Sequence, residues 1–169
     1  MRLDKNYKVT AADLLNSLPK DQLEKIIKEY GGERNAHRYA KLILDFRNKK
    51  KFYFTSDLAD LIKNSTPFYY ENSKIHPATR TFQALRIAVN NELENLRDAL
   101  PRAAQLLLPG GRMAVISFHS LEDKEVKEFG LNVQPMLKYL TKKPIVPSQT
   151  ELERNIRSRS AKMRIYERI

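Results

Sequence analysis

Pro109-Gly110-Gly111-Arg112-Met113-Ala114-Val115-Ile116-Ser117-Phe118-His119-Ser120 is the stretch on which the fold turns. A proline and two glycines reverse the chain, and Arg112 to Phe118 then runs apolar on both faces, as expected of an interior strand of a parallel sheet. Ser120 and Asp123 have capping-box spacing, so a helix is expected directly after His119, carrying Val126 and Phe129 inward. The product is a strand-to-helix turn, and in open α/β sheets ligands bind at the carboxyl ends of strands. His119 is thus either placed for chemistry or a turn residue bonded to local backbone. Phe118 also has two readings, a core aromatic or a surface on which a base stacks.

Downstream, Met136 to Lys142 and Ala161 to Ile169 read as strands. In the second, Ala161, Met163, Ile165 and Ile169 alternate with Lys162, Arg164, Tyr166 and Arg168, the pattern of a half-buried strand. Between them Pro144, Pro147 and a Ser148-to-Glu151 capping box predict a loop with a short helical turn. These two strands look like an antiparallel pair, so one edge of the apolar strand is left bare. A fragment explains this; so does an edge covered by another chain, by the helical part or by a swapped copy.

Upstream, a long helix is expected to open at Pro77, with Phe82, Leu85, Val89, Leu93 and Leu96 as its buried stripe. Thr79, Gln83, Arg86 and Asn90 form a polar stripe only about 90° away at about 100° per residue. Those groups either satisfy one another beside the core or line a substrate cleft. Before them, residues 10–64 read as short helices: Thr10 with Asp13 is a capping box, Pro19 opens a helix and Gly31-Gly32 stops it. A third helix is expected from Glu33 to about Lys49, and Thr55 caps a fourth carrying Leu58, Leu61 and Ile62. Asn64 to Lys74 reads as a linker.

Composition narrows the function classes. The 169 residues carry 31 Lys and Arg against 20 Asp and Glu, a net charge of +11, which favours a polyanionic partner. Basic residues crowd the C-terminal end: Arg154, Arg157, Arg159, Lys162, Arg164 and Arg168. No run approaches the roughly 20 apolar residues that span a bilayer, and no basic amphipathic helix with exposed aromatics marks a membrane surface. A cytoplasmic location, or an organelle interior, is expected. There is no cysteine, and His37, His76 and His119 lack ligand spacing, so no metal site is expected. Nucleotide-like cofactors need a glycine-rich strand-to-helix turn; none of the five glycines has that context.

The run His76-Pro77-Ala78-Thr79-Arg80-Thr81-Phe82-Gln83-Ala84-Leu85-Arg86-Ile87-Ala88-Val89-Asn90 with Glu92-Leu93 closely resembles the signature of the bacterial-type 16S rRNA cytosine-N(4) methyltransferases, the RsmH or MraW family. Pro109 to Arg112 with Ser117 to Asp123, then Lys143-Pro144-Ile145 with Pro147-Ser148, then Arg157 to Arg164 with Glu167-Arg168 follow in that family's order. Met1 to Asp4, Thr10 to Asp13 and Tyr30 to Arg34 are similar landmarks, so the resemblance covers essentially the whole chain.

The resemblance implies an α/β fold: the C-terminal part of a class I, Rossmann-like methyltransferase sheet plus a small all-helical insert. Residues 1–8 are then a remnant of the methyltransferase core, 9–75 the substrate-recognition insert and 76–169 the C-terminal part of the catalytic domain. It further implies methylation of the exocyclic amine of a small-subunit rRNA cytidine with S-adenosylmethionine. The family's cofactor loop and ribose-binding acid lie before the position matching Met1, and Ile156 replaces the usual proline. The chain alone is therefore expected to bind no cofactor and to be inactive, with a separate N-terminal half or a homodimer mate covering the bare edge. Arg80, Arg157, Arg159 and Lys162 are expected to contact phosphates; Thr79, Gln83, Asn90, Ser117 and His119 are expected to border the base pocket. No catalytic base is assigned. The competing reading is a non-catalytic RNA-binding or ribosome-assembly module derived from the same family.

Overall fold

A computed structural model describes residues 1–4, 6, 8–66, 75–133 and 135–169. Contacts divide the chain into two units, Met1–Glu92 and Leu93–Ile169.

The first unit is helical. The Thr10 hydroxyl accepts from the Asp13 N–H at 3.1 Å while the Asp13 carboxylate accepts from the Thr10 N–H at 2.8 Å, and this box starts α1 (Ala11–Ser17). Pro19 precedes α2 (Lys20–Gly31), and Gly32 ends it at φ 59°, a left-handed cap whose N–H donates to the Lys28 carbonyl at 3.0 Å. Gly31 is required for a different reason. A Cβ there would lie 2.6 Å from the Arg80 carbonyl oxygen, so its absence lets α2 press against α5 (Thr79–Asn90). Between them run α3 (Ala36–Arg47), shorter than expected, and α4 (Thr55–Ser65). Leu23, Ile27, Tyr39, Ala40 and Ile43 are fully buried and pack with Phe52, Leu58, Ile62 and Leu85 in one core.

Three expectations change here. Thr55 is the first residue of α4, not its cap; the Asp57 carboxylate takes that part by accepting from the Phe54 N–H at 3.2 Å. Asn64 and Ser65 of the expected linker belong to α4, and its residues 67–74 lie outside those described. The single long helix after Pro77 is two, because Asn91 adopts φ 50° and ends α5 before α6 (Glu92–Gln105) begins. Asparagine tolerates that left-handed conformation better than most side chains. The helix α5 packs in the first unit.

The second unit holds a three-stranded sheet. Its strands are β1 (Arg112–Ser117), β2 (Leu137–Tyr139) and β3 (Lys162–Arg168), in the order β1-β3-β2, both pairings antiparallel. β1 is followed by α7 (Ser120–Asn132), and β3 by way of α8 (Gln149–Arg154) and a 3-10 turn (Ile156–Ser160) is threaded between β1 and β2. The Ser148 hydroxyl caps α8 as expected, accepting from the Glu151 N–H at 3.2 Å. Met113 and Val115 pack with Leu100, Ala104, Val126, Leu137 and Tyr166 on one side of the sheet.

The parallel neighbour that β1's apolar composition calls for is not among the described residues, where β1 pairs with β3 alone and antiparallel. The facing of β3 is also the reverse of the hydropathy pattern. Arg164 and Tyr166 point into the core, and Met163 and Ile165 are half-buried on the other side. Tyr166 is able to do this because its hydroxyl donates to the Val126 carbonyl at 2.8 Å, satisfying the polar end inside the core. Arg164 does so through Asp123, described below. Among the described residues no helix is long and apolar enough to cross a membrane.

Candidate nucleic-acid interface

In the second unit the strand-to-helix turn lies where the sequence puts it, but is capped one residue earlier. His119 is the N-cap: its Nδ1 accepts from the Glu122 N–H at 3.3 Å, and the Glu122 carboxylate accepts from the N–H groups of His119 at 3.3 Å and Phe118 at 2.8 Å. Ser120 and Asp123 do not form the expected box. The Nδ1 of His119 thus serves the local backbone. Phe118 is 55% exposed, so its ring lies at the surface of this unit.

Asp123, released from capping, is the electrostatic centre of this unit. Its Oδ1 accepts from Arg164 Nε at 2.7 Å, its Oδ2 from Arg164 Nη2 at 3.2 Å and from Lys162 Nζ at 3.3 Å. The hydrogen bonds from Arg164 hold the Asp123 carboxyl below the usual carboxylate range, against the opposing effect of burial. Both side chains of the pair are largely buried, so each charge depends on the other. Lys162, expected on a phosphate, therefore shares its charge with Asp123 and is 40% exposed. It stands opposite Ser117 in the β1–β3 register, and Ser117 is buried. Ser117, Phe118, His119 and Lys162 are thereby gathered at one end of β1. Arg157 and Arg159 are exposed on the 3-10 turn that leads into β3.

The remaining expected residues lie in the first unit, on α5. Asn90 is buried and fully employed: its Oδ1 accepts from the Leu3 N–H at 2.7 Å, and its Nδ2 donates to the Met1 carbonyl at 2.9 Å and the Arg86 carbonyl at 2.8 Å. That side chain fastens the N-terminal segment to α5. Gln83 Nε2 donates to the Tyr30 carbonyl at 3.4 Å, and Arg80 Nη1 donates to the Gly32 carbonyl at 3.3 Å, so both reach the end of α2. Thr79 is exposed in the first turn. Gln83 and Asn90 thus bond to neighbouring backbone, while Thr79 and Arg80 keep an exposed surface.

Sequence reasoning missed the buried Asp123–Arg164 pair and the Arg97–Glu125 pair, in which Arg97 Nε donates to Glu125 at 2.7 Å and holds its carboxyl low. The signal for the first was the arginine in a position of β3 that faces the same way as Tyr166, but only the fold shows which way that is.

Neither turn nor glycine fits a nucleotide-like cofactor. The amides at the start of α7 are closed by the chain's own Glu122, and all five glycines have other tasks. Gly31 and Gly32 end α2, Gly110 and Gly111 form the turn before β1, and Gly130 lies beneath Tyr166, whose ring is 2.2 Å from where a Cβ would be.

A family described as the MraW methylase family matches residues 1–169, the whole length. The chain belongs to that family. Curated relatives carry the name Ribosomal RNA small subunit methyltransferase H. The one from Nostoc punctiforme is 48% identical over 169 residues, all of this chain and 55% of the relative. That from Persephonella marina is 47% identical over 171 residues, again all of this chain and 58% of the relative. The chain thus spans little more than half the length of the curated relatives it matches.

Proposed function

We propose that this chain is the RNA-recognising part of an S-adenosylmethionine-dependent methyltransferase that modifies the exocyclic amine of a cytidine in small-subunit rRNA, and that it is inactive alone. In this reading residues 9–75 are the helical insert, while 1–8 and 76–169 belong to a Rossmann-like catalytic domain whose remaining part lies outside these residues. The observation that carries it is the second face of the sheet. Ile116 (55% exposed) and Val146 (61% exposed) lie with Ile145, Ala161 and Met163 around an apolar groove on the side away from the core. A sheet apolar on both faces is the form that has layers on both sides, and among the described residues β1 has a strand partner on one edge only.

The cofactor enters only through family membership. The turn at the start of α7 and the glycines described above do not fit it, and its holding falls to the part of the catalytic domain outside these residues. Arg157 and Arg159, exposed and without a carboxylate partner among the contacts described, are phosphate-contacting residues, joined by the outer part of Lys162 and by Arg80. Ser117, Phe118 and His119 border the base at the end of β1.

Addition of the N-terminal segment of a relative to this chain, with small ribosomal subunits and methyl-labelled S-adenosylmethionine, tests the reading. Label in an rRNA cytidine that requires both polypeptides is the expected result. Binding of both polypeptides to rRNA with no transfer favours the non-catalytic module instead.

A further inference from the structure

The turn between α3 and α4 carries a feature that the preceding reading leaves unused. It runs Lys49-Lys50-Lys51-Phe52-Tyr53-Phe54, three cations and then three aromatics. Only the first ring is a core residue: Phe52 is 1% exposed and stacks on Phe46 with centroids 4.5 Å apart. Tyr53 and Phe54 are each 70% exposed. Single exposed apolar residues are ordinary, but two adjacent rings presented on a fixed backbone are not.

The backbone here is held from both sides. Asn16 grips Phe52 by accepting from its N–H at 2.9 Å and donating to its carbonyl at 3.0 Å. The Asp57 carboxylate accepts from the N–H groups of Tyr53 at 3.4 Å and Phe54 at 3.2 Å. Lys50 is paired with Asp57 at 2.9 Å, which neutralises the carboxylate that holds the turn, and Lys49 and Lys51 are exposed. Tyr53 and Phe54 also line a cleft that reaches the buried Leu15 and Leu58. A held backbone lowers the ordering cost when a flat partner stacks on its rings, and flanking cations match a phosphate backbone.

The geometry points to this turn as a base-stacking platform for single-stranded RNA, with Tyr53 and Phe54 under successive bases and Lys49 and Lys51 on the flanking phosphates. The inference rests on the reading of rRNA as partner and adds a contact to it, in a part of the chain where no site residue was expected. Sequence tolerance follows, because every base offers a π face.

The test uses the full chain and a fluorescent single-stranded RNA of about 12 nucleotides. Replacing both rings, Tyr53→Ala with Phe54→Ala, weakens binding about tenfold or more and leaves the dependence on salt unchanged. Lys49→Ala with Lys51→Ala lowers the slope of log affinity against log salt by about 1.4, about 0.7 for each phosphate released. The four side chains are exposed, so circular dichroism and melting of these variants match the parent. Oligonucleotides bearing 5-iodouridine, irradiated in the complex, crosslink to Tyr53 or Phe54. Unchanged affinity in the ring variant, with crosslinks elsewhere, overturns the platform and leaves the rRNA partner standing. A parent chain with no salt-dependent RNA binding overturns both, and rings that serve a protein partner give the first of these outcomes.

Discussion

The two units solve the same problem differently. In Met1–Glu92 the amphipathic helices turn their apolar stripes toward one another, and Leu23, Ile27, Tyr39, Ala40 and Ile43 reach zero exposure. In Leu93–Ile169 a three-stranded sheet is covered by helix on one face, and the other face exposes Ile116, Ile145 and Val146 to solvent. Helices satisfy their own backbone, so a helical unit closes once its side chains meet; a strand leaves its edge and its second face to be met by something else. Part of the missing cohesion is electrostatic. The second unit holds α7 against β3 through Asp123 and Arg164, where the first places hydrocarbon.

The contrast can be broken first at that pair. Asp123→Asn leaves a buried guanidinium without its charged acceptor and is expected to cost about 3 kcal/mol. Amide exchange should then accelerate in α7 and β3 while α2 and α3 keep their protection; uniform loss across both units would dissolve the distinction. Acid provides the same test without mutation. The folded carboxyl of Asp123 titrates below its unfolded value, so its contribution is complete above the ordinary carboxylate range and disappears as the pH falls through the depressed value. The protection of β3 is therefore expected to fade in acid more steeply in the parent than in Asp123→Asn.

Next in size is Gly130→Ala. The added methyl has nowhere to go, since the Tyr166 ring lies 2.2 Å and the Tyr139 hydroxyl 2.7 Å from its position. Overpacking of this kind costs about 2 kcal/mol and should lower the melting of the second unit. In the first unit Asn16→Ala removes two hydrogen bonds to Phe52 for about 1–2 kcal/mol, read as faster exchange in the turn before α4. Ile116→Lys stands at the small end. The residue is exposed, so the isolated chain should change by less than about 0.5 kcal/mol, yet a charge in the middle of the outer face should abolish complementation by the N-terminal segment.

The sequence was most readable where a local rule decides the outcome. The Thr10–Asp13 box, the Gly32 cap, the Ser148 cap and the apolar run of β1 all involve residues within a few positions of each other. Where distant residues decide, the reading failed. The hydropathy alternation of β3 pointed the wrong face inward because Tyr166 and Arg164 are made acceptable by Val126 and Asp123, some 40 positions away. Asn91 broke an otherwise continuous helical stripe, and His119 displaced the better-known serine cap. Of the expected site residues, Asn90 and Gln83 proved to be tied to backbone, a fate that composition alone does not distinguish from a cleft lining. Arg157 and Arg159 are exposed.

Hydrogen exchange at β1, with and without the N-terminal segment of a relative, addresses the proposed completion of the sheet most directly. In the chain alone, alternate amides between Arg112 and Ser117 should exchange freely, because among the described residues β3 lies on one side of the strand and no partner strand on the other. On addition of the segment those same amides should become protected. Uniform protection of β1 before anything is added, or free exchange that persists afterwards, contradicts the account.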